Sequence, residues 1–327
     1  MEELAKKIFA LSGDNDFAAA ALEVFRYQAA SNPVYKRWIS ELGVDPAAVN
    51  NLHDIPFMPV SLFRDHRVIC DNREAELSFS SSGTTGMKRS THLVADAGIY
   101  RYSCTQGFSK FYGPAEDYHI LALLPSYLER KDSSLVYMAE TLMNEGGRRR
   151  GGFYLNDYDA LRRSVEQLQG EGKKIILLGV SFALLDFAGQ GGADLGGQVV
   201  METGGMKGRK KEITREELHS RLKEGFNTDA VHSEYGMTEL LSQAYSKGEG
   251  LFSCPSWMRV LIRDPHDPFT YAGTGVTGAI NIIDLANIYS CSFIATSDLG
   301  RLYKDGRFEV SGRFDNSDMR GCSLLVV

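Results

Sequence analysis

No stretch of this 327-residue chain approaches the roughly 20 consecutive apolar residues of a membrane-spanning helix, so no such span is expected. Its start, Met1 to Ala10, alternates charged and apolar residues and lacks the continuous apolar core of a secretory leader; a cytoplasmic location is the expectation. Cysteine is scarce. Cys70, Cys104, Cys254, Cys291 and Cys322 are odd in number and form no close pair, which implies neither a disulfide framework nor a zinc knuckle and predicts reduced thiols. Excess charge is also small: the net value of -6, with both signs mixed along the chain, argues against nucleic acid or an anionic membrane as the main partner. Internal repeats are lacking. What remains is a chain long enough to bury a large core.

Helical periodicity runs through residues 1 to 40, with Leu4, Ile8 and Leu11, then Ala18, Leu22 and Phe25, on recurring faces. Ser31-Asn32-Pro33 interrupts it, and Val34 to Leu42 resumes it. Ile55 to Val60 reads as an extended connector stiffened by proline, and Glu76 to Ser80 alternates like a strand. Helices (Ala95 to Phe111, Ser133 to Asn144, Asp157 to Gln169) then alternate with strands (His119 to Leu124, Gly151 to Leu155, Lys173 to Leu178). That order predicts an α/β fold with a mainly parallel sheet covered by helices. From about Leu251 the texture changes to short strands: Met258 to Arg263, Gly278 to Asp284, Ser292 to Ala295 and Arg307 to Val310, with a hairpin signal at Asp305-Gly306. The expected organisation is one domain over 1–327, comprising a leading helical segment (1–50), an α/β core (51–250) and a β-rich subdomain (251–327).

Three blocks carry chemistry. Ser80-Ser81-Ser82-Gly83-Thr84-Thr85-Gly86 has two glycines and five hydroxyl residues, so its amides can approach an anion closely while its hydroxyls donate further hydrogen bonds. The loop suits a triphosphate, with Lys88 and Arg89 nearby, but it lacks the spacing and lysine of a P-loop; a polar hairpin turn is its ordinary alternative. Tyr235-Gly236-Met237-Thr238-Glu239 follows a strand-like segment. Tyr235 offers a flat face to adenine, Gly236 lets backbone come close, Thr238 can donate to the α-phosphate and Glu239 can hold Mg²⁺. A helix start capped by Thr238 is the competing reading. Asp298, in Thr296-Ser297-Asp298-Leu299-Gly300-Arg301, is expected at a strand terminus, accepting two ribose hydroxyls, with Arg313 in the same subdomain. Together the blocks predict a site that activates carboxylates with ATP.

These blocks, in this order, resemble the core motifs of the adenylate-forming enzymes: acyl-CoA ligases, peptide-synthetase adenylation domains and firefly luciferase. Glu202-Thr203-Gly204-Gly205-Met206-Lys207-Gly208, Arg215-Glu216-Glu217-Leu218 and the ending from Gly312 to Cys322 resemble more narrowly the LuxE-type acyl-protein synthetases, over roughly residues 50–327. The resemblance implies ATP and Mg²⁺ as cofactors, a fatty acid as substrate, capture of the acyl group on a cysteine and delivery to an acyl reductase partner. Residue by residue it implies phosphate contacts from Ser81, Ser82, Gly83, Thr84, Thr85 and Gly86, adenine contacts at Gly204, Gly205 and Tyr235, catalytic roles for Thr238 and Glu239, the latter as metal ligand, and ribose contacts from Asp298 and Arg313. Because the sequence stops at Val327, the lysine-bearing C-terminal domain of the wider superfamily is expected to be absent, leaving Lys88, Arg89, Lys207 and Arg209 as available cations. Cys322 is the expected acyl acceptor, its thiol favoured as thiolate by neighbouring Arg320.

Other readings compete. Gly179-Val180-Ser181-Phe182-Ala183, between a strand and a helix, has the context of a hydrolase nucleophile elbow, with Asp229 or Asp264 and His232 or His266 as partners; Phe182, Leu184, Leu185 and Phe187 read better as an apolar wall or acyl pocket. Transfer to CoA with Cys322 idle, as in phenylacetate-CoA ligases, and a non-catalytic nucleotide-binding partner of a reductase are the alternatives. Cys254 and His266 lack the spacing of a metal pair, and His119 is a candidate for facing the carboxylate.

Overall fold

Residues 3–81, 88–125, 132–145, 151–204 and 213–313 are described by the structure, a computed structural model. They form two compact units. One takes in the described residues of Met1–Leu77, Ser90–Asp96 and Ser256–Val327, the other those of Ser78–Arg89 and Ala97–Pro255.

The first unit contains helices α1 (Glu3–Phe9), α2 (Asp14–Ser31), α3 (Pro33–Glu41) and α4 (Leu62–Asp65), and strands β1 (Met58–Pro59), β3 (Thr91–Val94), β11 (Met258–Arg263), β12 (Gly278–Asp284), β13 (Phe293–Leu302) and β14 (Phe308–Arg313). The last four form an antiparallel sheet in the order β14-β13-β12-β11, and β1 runs parallel to β13 with Met58 opposite Ile294. Every residue of β12 is buried, so this strand is covered on both faces instead of showing the alternation of a half-exposed sheet. The leading helices are tied to the C-terminal strands through polar groups. The Gln28 side chain donates to the Ile288 carbonyl at 2.8 Å and accepts from the Ser292 N–H at 2.9 Å, while Phe293 stacks on Tyr35. Between β13 and β14, Gly306 takes the left-handed φ of 80° that the turn requires and donates to the Tyr303 carbonyl at 3.0 Å, as the Asp305-Gly306 signal predicts.

Asn32 explains the break between α2 and α3. Its Oδ1 accepts from the N–H groups of Val34 and Tyr35 at 3.0 and 3.1 Å, and its Nδ2 donates to the buried Ser290 carbonyl at 2.8 Å. Pro33 at the first helical position lacks an N–H that would have been unpaired there. Replacing Asn32 with Ala removes the cap and leaves the Ser290 carbonyl, among the described residues, only the weak Cys70 thiol at 3.5 Å. We expect Asn32→Ala to lose about 2 kcal/mol, read as a lower urea midpoint with unchanged slope. An unchanged midpoint would mean that α3 and Ser290 are held without Asn32.

The second unit contains β2 (Leu77–Ser80), α5 (Ala97–Tyr112), β4 (Tyr118–Leu123), α6 (Ser134–Met143), β5 (Gly151–Phe153), α7 (Tyr158–Leu168), β6 (Lys174–Val180), α8 (Ser181–Gly189), β7 (Val199–Thr203), α9 (Arg215–Phe226), β8 (Val231–Tyr235), β9 (Ala244–Ser246) and β10 (Leu251–Phe252). Its sheet has the order β5-β4-β6-β7-β8-β9, parallel except for β9. After Lys174 every residue of β6 is buried, as expected for a central parallel strand between helices. Side chains set the helix starts: Asp157 accepts from Ala160 N–H at 2.9 Å, Ser133 caps α6 and Thr214 caps α9. Among the described residues no helix is long and apolar enough to cross a membrane.

Candidate functional site

β7 and β8 are parallel neighbours, with Thr203 opposite Glu234, so Gly204 and Tyr235 leave the same edge of the sheet side by side. This is the carboxyl edge, where open α/β sheets collect ligands. Gly204 is exposed and has a left-handed φ of 65°, and its carbonyl accepts the Ser181 hydroxyl at 2.5 Å. Tyr235, half-buried, meets the edge of Phe252 at 5.9 Å between centroids, and its hydroxyl donates to the Met237 sulfur at 3.8 Å. The Arg215 guanidinium lies 5.5 Å from the Phe252 ring. At Gly236 a Cβ would sit 2.5 Å from Glu234 Oε1, so any side chain there would have to displace the Glu234 carboxyl.

Beneath these residues lies a buried polar pair. The Thr203 hydroxyl donates to Glu234 Oε2, joining the ends of β7 and β8. Burial pushes the Glu234 carboxyl up to about 7; the Thr203 hydrogen bond opposes the shift and Glu202 adds to it. Local sequence reading missed Glu234 and Thr203. Their only signal is polarity at the ends of two otherwise buried strands.

Met237 to Leu240 is a turn closed by the Leu240 N–H donating to the Met237 carbonyl at 3.2 Å. Thr238 and Glu239 are its central residues, Thr238 half-buried and Glu239 only 5% exposed. No helix starts there, so Thr238 does not act as a helix cap. Ser81 is half-buried just beyond β2, and Lys88 and Arg89 are exposed. Ser82, Gly83, Thr84, Thr85, Gly86, Gly205, Lys207, Arg209 and Cys322 lie outside the described residues.

In the first unit the position of Asp298 differs from the expectation. It does not end a strand: β13 continues to Leu302, with a register irregularity between Leu299 and Gly300. Asp298 lies opposite Arg313 on β14, and the Arg313 Nε donates to its Oδ1 at 2.7 Å. The carboxylate is buried while the Arg313 side chain is 73% exposed. The two residues assigned to ribose are therefore each other's partners.

The elbow reading finds little support in the geometry. Ser181 begins α8 but points inward, 1% exposed, with its Oγ within hydrogen-bond distance of Glu202 Oε2 (2.9 Å) and the Gly204 carbonyl. His232 instead bonds the Tyr112 hydroxyl through Nδ1 at 3.0 Å, and burial, aided by Lys247, holds its imidazole down at about 4. Phe182, Leu184 and Phe187 are buried in the hydrophobic core, with Leu185 packed against it. His119 is the second residue of β4, at the strand's amino end, opposite to the carboxyl edge, and lies 3.3 Å from Glu171. Among the described residues no group of three or more His, Cys, Asp or Glu could hold a metal ion. A Mg²⁺ ion brought by a nucleotide would draw on phosphate oxygens as well as Glu239, a buried oxygen donor of the right type.

Searched against protein-family models, the chain matches none. Among solved structures it superposes on 2-hydroxyisobutyryl-CoA ligase in the postadenylation state, in complex with R3-HIB-AMP, with a TM-score of 0.68 and 14% identity, covering 93% of this chain and 68% of that one. ATP-bound MatB from Rhodopseudomonas palustris aligns with a TM-score of 0.53 and 17% identity, over 74% of this chain and 49% of that one. The fold is that of the adenylate-forming enzymes. In sequence the chain is similar to the long-chain-fatty-acid--luciferin-component ligase of Vibrio harveyi, 23% identical over 92% of this chain and 85% of that protein. In this adenylate-forming fold the α/β unit carries Gly204 and Tyr235 on adjacent strand ends, and the β-rich unit carries Asp298 and Arg313.

Proposed function

We propose that this protein is an acid-thiol ligase that activates a carboxylic acid, in our reading a fatty acid, with ATP and Mg²⁺. The observation that carries the proposal is the convergence of Gly204, Tyr235, Gly236 and the Thr238-Glu239 turn on two adjacent strand ends of an adenylate-forming fold. Similarity to a fatty-acid ligase supports the choice of substrate. A carboxylate oxygen attacks the α-phosphorus of ATP, the bond to the leaving pyrophosphate breaks, and an acyl adenylate results. Tyr235 and Gly204 would flank the base, Thr238 would donate to the α-phosphate, and Glu239 would hold the Mg²⁺ that offsets phosphate charge. Ser81, Ser82, Gly83, Thr84, Thr85, Gly86 and Lys88 are assigned to the phosphates, and Gly205 to the base. Asp298 would accept the ribose hydroxyls, with Arg313 fixing its carboxylate.

In the second half-reaction the Cys322 thiolate attacks the acyl carbonyl, AMP leaves, and a thioester forms that an acyl reductase partner would consume. Transfer to CoA is the rival; the superposition on CoA ligases favours keeping it in view. We expect carboxylate-dependent exchange of labelled pyrophosphate into ATP with at least one acid in a panel of aliphatic and aromatic carboxylates. No exchange with any of them would refute the ligase reading and favour a nucleotide-binding partner. Intact mass after incubation with ATP, Mg²⁺ and acid, with and without CoA, separates the two acceptors.

A further inference from the structure

Ser181 is the member of the nucleophile-elbow segment that the proposed chemistry leaves unused, and its surroundings suggest another purpose. It sits at the first turn of α8, buried, with one hydroxyl proton and two acceptors within reach: the Gly204 carbonyl at 2.5 Å and Glu202 Oε2 at 2.9 Å. Behind Glu202, the His219 Nε2 lies 3.8 Å from Oε1, buried and without a hydrogen-bond partner among the described residues. These residues all belong to the α/β unit. On the other side of β7, Thr203 is tied to Glu234, so the strand end that carries Gly204 is held from both faces.

We propose that Ser181 is a positioning residue for the nucleotide base: by donating its hydroxyl to the Gly204 carbonyl it holds the exposed backbone that flanks adenine. The inference rests on the base-contacting role given to Gly204 above. A hydroxyl donates one hydrogen bond, so Gly204 and Glu202 compete for it; the shorter contact is the one to Gly204, and replacing the rival acceptor at 202 by a donor would secure it further. An amide at 202 would do this: its N–H can donate to Ser181 Oγ, leaving the hydroxyl to Gly204.

The test uses the full chain and isothermal titration with MgATP and with MgGTP, together with the acid KM in pyrophosphate exchange. Ser181→Ala should weaken ATP binding by roughly five- to tenfold, the loss of one net hydrogen bond, narrow the preference for ATP over GTP by a similar factor, and leave the acid KM within about twofold. Glu202→Gln, which removes the competing acceptor, should bind ATP at least as tightly as the parent and keep its preference. Ser181→Cys, of similar size but a weak donor, should weaken ATP binding as Ala does and carries the test if the alanine variant does not fold. Parental ATP affinity in a folded Ser181→Ala variant would overturn the inference while leaving the ligase reading intact. A Glu202→Gln variant as weak as Ser181→Ala would also overturn it, by showing that the charge at 202 matters and not the Gly204 contact. A parental chain that binds no ATP would overturn both the nucleotide reading and this inference.

Discussion

Glu239→Gln is expected to lower carboxylate-dependent pyrophosphate exchange by on the order of a hundredfold, about 2.7 kcal/mol of transition-state stabilisation. Glu239 is buried in the turn that follows β8, where Gln keeps the shape and loses the charge. Charge is the relevant property, because pyrophosphate departure builds negative charge that a Mg²⁺ held by a carboxylate offsets better than one facing a neutral amide. Thermal melting distinguishes this from simple damage. A variant that still melts cooperatively above the assay temperature is folded, so its lost exchange reports on the chemistry. Raising the Mg²⁺ concentration should recover part of the exchange rate. A variant that exchanges at the parental rate would take Glu239 out of the metal site.

Cys322→Ser is expected to separate the two half-reactions. Pyrophosphate exchange should stay within about threefold of the parent, since adenylation precedes any attack by the thiol, while hydroxylamine-sensitive acyl label on the protein should fall by more than tenfold. The reason is intrinsic reactivity: a few per cent of an ordinary thiol is thiolate near neutral pH, whereas a serine hydroxyl is almost wholly protonated. The other cysteines offer a contrast. Burial pushes the Cys70 thiol up to about 11 and those of Cys104 and Cys291 higher still, so these three are poor nucleophiles in the folded chain. Parental labelling of Cys322→Ser would point to another residue of the protein such as Cys254, which is partly exposed. Loss of exchange together with labelling would assign the tail to folding of the enzyme.

The two experiments probe different parts of the proposal. Glu239 tests whether the Tyr235 to Glu239 segment serves phosphate chemistry, whereas Cys322 tests only where the activated acyl group goes. A protein that loses exchange with Glu239→Gln and keeps its label in Cys322→Ser would be a ligase with another acceptor. The converse result would leave the acceptor assigned and the metal site still to be found.

What the sequence determined by itself is local. Apolar spacing marked the helices α3, α5, α6 and α7 and several strands to within a few residues, because a 3.6- or 2-residue period acts over one or two turns, whereas α9 went unmarked and β13 runs to Leu302, well past the expected Ala295. The residue types of the Tyr235 to Glu239 block likewise carry the proposal of phosphate and metal chemistry, which the Glu239 variant tests. Tertiary structure decided the rest. That Gly204 and Tyr235 emerge side by side depends on β7 pairing with β8, across an intervening helix, and no periodicity records which strands become neighbours. The same holds for the Gln28 contacts with residues near position 290, for the inward turn of Ser181 onto Gly204, and for Asp298, which local reading put at a strand end and which β14 instead pairs with Arg313. Each of these is a hydrogen bond between residues brought together only when the sheet forms. Its partner is chosen by burial and strand order, which the chain settles as a whole.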